Sequence, residues 1–227
     1  MKAFRIVIFD LDGVLVSEKS SWEAVHKALG MEKEGQINLR GYLKGEFDYK
    51  EFMSRDIALW KNTDLNGIRT IVNRISLTNG ARETVHSLKK LGLKTAIISS
   101  GISVLADRVK AELEIDYAFS NKITEDKNGK IIGIEVVPVH RKASVMRKLA
   151  RLEGVSTRNC IVVGDGIYDV PMFKIAGFSI AFNSDNDEVK GAADISIDKK
   201  DLREIIPYIK LLLKRFGPQH FSNYTSA

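Results

Sequence analysis

Four apolar side chains, Ile6-Val7-Ile8-Phe9, run directly into Asp10-Leu11-Asp12-Gly13, and this abrupt change from apolar to charged limits what the chain can become. A strand that is apolar at every position has to be covered on both faces, which is the condition of a central strand in a parallel α/β sheet. Ligands of such sheets gather beyond the carboxyl ends of the strands, where Asp10 and Asp12 stand. Two carboxylates at a fixed strand end can bind a hard cation such as magnesium through oxygen, leaving one acid as nucleophile and the other for proton transfer. Taken alone, so short a motif favours a plainer reading, a strand ending in a turn with a helix-capping aspartate.

The first strand is placed at Arg5–Phe9, and four more segments have strand character: Leu93–Ile98, Cys160–Val163, Phe178–Phe182 and Asp194–Ile197. Helical patterns separate them. Ala81, Val85, Leu88 and Leu91 share a face that Gly92 ends, and Val145, Leu149 and Leu152 share another, with Gly154 beyond. This alternation predicts an α/β fold, a doubly wound, mainly parallel Rossmann-like sheet, with residues 1–16 and 80–216 as its core. The interval 17–79 far exceeds the dozen or so residues of a minimal crossover, so it must carry structure of its own. Ser20 with Glu23, and Asp48 with Glu51, have capping-box spacing, while Asp64 precedes a helical run through Leu65, Ile68, Ile71, Val72 and Ile75. An inserted helical cap is predicted, either a lid over the acidic strand end or a passive extra layer. Residues 119–139 read as a β-hairpin turning at Asn128-Gly129. A helix carrying Leu202, Ile205, Ile206, Ile209, Leu212 and Leu213 should close the core, interrupted or restarted at Pro207, and 217–227 form a tail expected to fray.

Composition narrows the chemistry. No apolar run approaches the roughly 20 residues that span a bilayer, and Met1-Lys2-Ala3 leads straight into the first strand, so a cytoplasmic protein with no membrane partner is expected. Cys160 is the only cysteine, which rules out an internal disulfide and leaves a buried small side chain as its expected role. The formal net charge of +6 suits anionic ligands and, by sign alone, nucleic acid equally. However, no basic cluster is interleaved with aromatics and no zinc-ligand spacing appears, so no nucleic-acid partner is expected.

Three further stretches end at the same sheet edge or beside it. After Ile97-Ile98, the residues Ser99, Ser100 and Gly101 can offer a hydroxyl and backbone N–H groups at the start of the following helix to a phosphate, or simply cap that helix. Lys142 begins a helix, where its charge opposes the helix dipole; a ligand role, neutralising phosphate, stands beside the ordinary one of a solvated lysine. The run Val163-Gly164-Asp165-Gly166-Ile167-Tyr168-Asp169 has Asp169 where a dinucleotide loop carries its third glycine, and a carboxylate there would repel a pyrophosphate. A cation suits it better. Asp165 can complete the coordination begun by Asp10, and Asp169 can orient metal-bound water or Lys142, or cap the helix containing Pro171.

Taken in order, Asp-x-Asp, Ser, Lys and Gly-Asp-Gly-x-x-Asp resemble the haloacid dehalogenase-like hydrolase superfamily, closest to its phosphoserine phosphatase branch, over nearly the whole chain. The resemblance implies a magnesium-dependent phosphomonoester hydrolase that works through an aspartyl-phosphate. It makes Asp10 the nucleophile and Asp12 the general acid and base, with Ser99 and Lys142 on the phosphate. Magnesium would be held by Asp10, Asp165 and the main-chain carbonyl of Asp12, with Asp169 in support. The implied partner is a small phosphorylated substrate, phosphoserine first, then a phosphosugar or a phosphoglycolate-like ester. Transfer to an alcohol in place of water, and a non-catalytic anion- or nucleic-acid-binding protein, are the other readings. Monomer and homodimer are both compatible with the sequence. Substrate selection is where the chain departs from the branch: the acid and the arginine that bind the amino and carboxylate groups of phosphoserine align with Lys19 and Asp56. Glu18 and Arg55 stand next to them, and Tyr168 replaces a usual asparagine.

Overall fold

The computed structural model describes residues 4–135 and 141–216. Its strands are β1 (Ile6–Phe9), β2 (Lys94–Ile102), β3 (Tyr117–Glu125), β4 (Ile131–Glu135), β5 (Cys160–Gly164), β6 (Phe178–Phe182) and β7 (Ile195–Ile197), in one sheet ordered β4-β3-β2-β1-β5-β6-β7. Every pairing is parallel except β3 with β4. The uninterrupted apolar run of β1 follows from its central place: Val7 and Phe9 join the core on one face, Ile6 and Ile8 that on the other. Its neighbour β5 divides in the same way, Ile161 and Val163 against Cys160 and Val162, so the lone cysteine is a buried packing residue.

The sheet is larger than the strand patterns imply. Tyr117, Ala118 and Phe119 pair parallel to β2, and only then does β3 turn into the antiparallel ladder with β4, from Lys122 opposite Glu135 to Glu125 opposite Ile131. Residues 136–139 of the expected hairpin, and the tail 217–227, lie outside the described residues. β2 also runs on to Ile102, four residues beyond its expected end, and the next helix, α6 (Ser103–Leu113), starts only there. Ser99 and Ser100 therefore do not cap it, and the N–H groups near Gly101 belong to a strand end, because β3 continues alongside and pairs Asn121 with Ile102.

The interval 17–79 after β1 carries four helices, α1 (Ser21–Leu29), α2 (Glu32–Leu43), α3 (Tyr49–Leu59) and α4 (Leu65–Val72). Three begin at side-chain caps: Ser20 Oγ accepts the Glu23 N–H, Asp48 Oδ1 that of Glu51 and Asp64 Oδ1 that of Gly67. The N–H of Leu65, at the start of α4, donates to the Gly129 carbonyl in the β3–β4 turn at 3.1 Å, tying this helical segment to the hairpin tip. The remaining helices are α5 (Ala81–Lys90), α7 (Lys142–Leu152), α8 (Val170–Phe173), α9 (Asp187–Ala192) and α10 (Ile206–Phe216). A short 3-10 turn over Leu202–Ile205 precedes α10, which restarts with Pro207 in its first turn, where the missing N–H is no loss.

Candidate active site

The register pairs Phe9 with both Ile97 and Val163, so the carboxyl ends of β1, β2 and β5 lie side by side. Asp10 follows β1 directly, and its N–H donates to the Val163 carbonyl at 2.9 Å. Its Oδ1 accepts the Leu11 N–H at 2.7 Å, and its Oδ2 meets Lys142 Nζ at 2.8 Å. Lys142 opens α7 but sends its side chain inward: it is 1% exposed, and its ammonium sits between Asp10 and Asp169, 2.7 Å from the latter. Burial alone would lower the pKa of this lysine, but the carboxylates of Asp10 and Asp169 outweigh it and hold the pKa above the ordinary value.

Asp169 does not cap the helix after it. Its Oδ1 takes Lys142, and its Oδ2 accepts the N–H groups of Asp165 and Gly166 at 3.1 Å each, folding its own loop back on itself. The glycines of the two acidic motifs make room for this. A Cβ on Gly164 would lie 2.4 Å from Asp169 Oδ2, and one on Gly13, where φ is +75°, would lie 2.2 Å from Asp165 Oδ2. Asp165 also accepts from Lys19 Nζ at 2.8 Å, and Lys19 donates again to the Asn183 carbonyl at 2.9 Å. Burial, then the charge of Asp10, raises the Asp165 pKa against the pull of Lys19.

Asp12 is placed differently. Ser21, the first residue of α1, donates its hydroxyl to Oδ2 at 2.8 Å, while Oδ1 is buried without a partner among the described residues. Burial, and next the charge of Asp10, pushes this carboxyl up to about 7. Near neutrality it can therefore give or take a proton, as a general acid and base must. Across the cleft, Ser99 Oγ accepts the Gly101 N–H at 2.9 Å, leaving its own proton to donate. The Ser100 carbonyl is held by Trp22 Nε1 at 3.0 Å and Asn121 Nδ2 at 2.9 Å. A cavity of about 480 Å³ opens over these groups, closed above by residues of α1, α2 and α3.

A protein-family model for the haloacid dehalogenase-like hydrolases matches residues 4–177. The phosphoserine phosphatase of Methanocaldococcus jannaschii is 34% identical over 212 residues, covering 92% of this chain and 99% of that protein. The chain belongs to the haloacid dehalogenase-like hydrolases. Another relative, the phosphoserine phosphatase of Archaeoglobus fulgidus, is 37% identical over 210 residues, 91% of this chain and 60% of that one. Among solved structures, a phospho-aspartyl intermediate analogue of phosphoserine phosphatase superposes with a TM-score of 0.78 at 32% identity, covering 91% of this chain and 99% of the other. A hydrolase of this family from Salmonella enterica gives 0.81 at 27% identity, covering 91% and 71%.

The donor set of this hydrolase fits a hard divalent cation. Carboxylate oxygens of Asp10, Asp165 and Asp169 come within 4.8 Å of one another, with no nitrogen or sulfur ligand among them. Among the described residues, Asp169 is held by Lys142 and two N–H groups, Asp10 by Lys142 and one N–H, and Asp165 by Lys19 alone, so Asp165 and then Asp10 keep the most acceptor capacity for a cation. Ser100, Glu18, Lys19, Asp56 and Tyr168 line the cavity with Asp10, Asp12, Ser99 and Asp165. Arg55 is elsewhere: it pairs with Glu51 at 2.9 Å and lies over the Phe47 ring at 4.1 Å, because one helical residue turns the side chain by about 100° away from Asp56. Ser21, Trp22, His26, Asn38 and Asn121 gave no signal in the sequence, since each is an ordinary polar or aromatic residue of a helix or strand.

Burial pushes both Asp12 and Asp56 up to about 7, whereas in an unfolded chain they titrate near 4. Between those values the folded state binds more protons than the unfolded one, so the stability of the metal-free protein falls as pH rises from about 4 to about 7. The urea midpoint is expected to be lower at neutral than at mildly acidic pH, and Asp12→Asn or Asp56→Asn should flatten that dependence.

Proposed function

We propose that the chain is a magnesium-dependent phosphomonoester hydrolase, with phosphoserine as its first substrate, that forms an aspartyl-phosphate on Asp10. The carrying observation is the meeting of Asp10, Lys142 and Asp169 at 2.7–2.8 Å beneath a cavity that also holds Asp12. Asp10, Asp165 and the main-chain carbonyl of Asp12 would hold magnesium, which would supply positive charge that lowers the repulsion between Asp10 and the phosphate.

An Asp10 oxygen attacks phosphorus, the ester P–O bond breaks and the departing alkoxide takes a proton from Asp12. The Asp12 carboxylate then takes a proton from water, which attacks the same phosphorus and releases phosphate and free Asp10. Lys142, the Ser99 hydroxyl and nearby N–H groups hold the charge of the transferring phosphoryl group. Asp169 keeps Lys142 in place. The helical segment between β1 and β2 serves as a lid: Trp22 reaches the Ser100 carbonyl, and Tyr42 of α2 hydrogen-bonds to Tyr168 of the core. Among the described residues no helix is long and apolar enough to cross a membrane.

Phosphate release from phosphoserine, phosphosugars, phosphoglycolate and nucleotides, with magnesium or with a chelator, tests this reading, and added alcohols reveal any transfer in place of hydrolysis. Magnesium-dependent release led by phosphoserine is expected. Equal turnover across the panel removes the phosphoserine assignment, and no magnesium-dependent release from any ester removes the hydrolase.

A further inference from the structure

The cavity extends well past the phosphate end, and the groups along its far side do not match a leaving group that is bound by its carboxylate. Among the described residues, Glu18, Glu23, Glu32 and Asp56 line it against two ammonium groups, those of Lys19 and Lys27. Lys19 is already engaged by Asp165 and the Asn183 carbonyl. Arg55, the guanidinium nearest in sequence, faces Glu51 and Phe47 instead.

Asp56 is the unusual member of this set. It is 2% exposed, it accepts one hydrogen bond, from Asn38 Nδ2 at 2.8 Å, and among the described residues no cation faces it. A buried carboxylate with only a neutral amide for company is costly unless a positive group arrives. His26, 4% exposed, has an Nε2 with no partner among the described residues, and burial holds its pKa down to about 4, so the ring is neutral and can accept a proton donor. The two are neighbours through α2. Gly35 lies against the imidazole, where a Cβ would stand 2.3 Å from Nδ1, and Asn38, three residues on along the same helical face, holds Asp56. Trp22, Tyr42, Tyr49 and Phe52 supply aromatic walls to the same cavity, and Tyr42 and Phe52 stack at 5.0 Å. Ring faces attract cations and repel carboxylates.

We propose that the far side of the cavity is a subsite for an alkylammonium group on the substrate's leaving alcohol, held by Asp56 and His26 between aromatic walls, and that the substrate class is phosphorylated amino alcohols. This rests on the hydrolase reading for the phosphate end and deepens it. The amino group of phosphoserine can enter the subsite, while among the described residues no guanidinium lines it to meet the carboxylate, so the amine carries recognition.

Phosphonates separate the two claims, because their C–P bond is not cleaved and binding is read without turnover. By calorimetry on the magnesium-loaded protein, 2-aminoethylphosphonate is expected to bind about 10-fold or more tightly than its neutral counterpart 2-hydroxyethylphosphonate. In Asp56→Asn, whose side chain keeps its shape, that ratio should fall below about 3-fold. Because the ratio is internal to each protein, a general loss of active fraction cancels from it. Equal binding of the two phosphonates by the unaltered chain overturns the ammonium subsite, and a large ratio that survives Asp56→Asn overturns the role of Asp56. Magnesium-dependent hydrolysis of p-nitrophenyl phosphate, measured beside these, reports on the hydrolase reading alone.

Discussion

Asp10→Asn is expected to lower kcat for any phosphomonoester by about 10⁴-fold or more, since the amide keeps the shape of the carboxylate and loses its nucleophilic oxygen. The surroundings favour a clean loss of chemistry over a loss of fold. The backbone bond to Val163 is untouched and Lys142 keeps its contact with Asp169 at 2.7 Å, while the amide, with one acceptor oxygen in place of two, gives up either the Leu11 N–H or Lys142. Binding of a non-cleavable phosphonate should therefore persist in the variant while phosphate release does not. Rapid acid quenching of the unaltered protein with substrate should show a phosphoryl group on the peptide containing Asp10, absent from the variant. Turnover of Asp10→Asn within about 10-fold of the unaltered protein would mean that water attacks directly and that Asp10 serves only as a ligand.

That Asp10 could be singled out from sequence has a physical reason, and so does the obscurity of its neighbours. A strand covered on both faces has to be apolar throughout, so the acids at the ends of β1 and β5 stand out against their own strands. The glycines beside them are forced by the tight approach of Asp165 and Asp169. Helix starts in the inserted segment were equally legible, because Ser20, Asp48 and Asp64 cap their own chains at short range. The parallel part of β3 was not. Tyr117, Ala118 and Phe119 are half-buried residues of mixed type near the edge of the sheet, and what makes them a strand is β2 beside them. The end of β2 is hidden for the same reason, as Ser99, Ser100 and Gly101 have the local composition of a cap while a neighbouring strand keeps them extended. Within the site, Ser21 and Asn38 act on carboxylates 9 and 18 residues away in sequence, and His26 and Asp56 share a cavity only because α2 brings them together. No local pattern records such meetings.

Lys142→Met is expected to damage both activity and stability, and the division between the two follows from its surroundings. Methionine roughly fills the space of the buried stem, so the loss is that of the ammonium. Without it, Asp10 and Asp169 face each other across a buried gap with no shared positive charge. Removing one partner from a buried ion pair destabilises by about 3–5 kcal/mol, mostly because the other charge stays buried and uncompensated. The metal-free variant should therefore unfold at clearly lower urea, and its deficit should shrink with magnesium, because carboxylates without the competing ammonium bind the cation more tightly than those of the parent and mass action then stabilises the variant more. Catalysis should fall by about 10²–10³-fold even with saturating magnesium, the usual loss when one fixed positive donor to the transition state is removed. Asp169→Asn separates the positioning role from the electrostatic one: it leaves the ammonium in place but weakens the contact that aims it, so it should lower activity less than Lys142→Met. A Lys142→Met protein as stable as the parent without metal would show that Asp10 and Asp169 can share a proton in place of the ammonium, and that Lys142 serves the phosphate and not the fold.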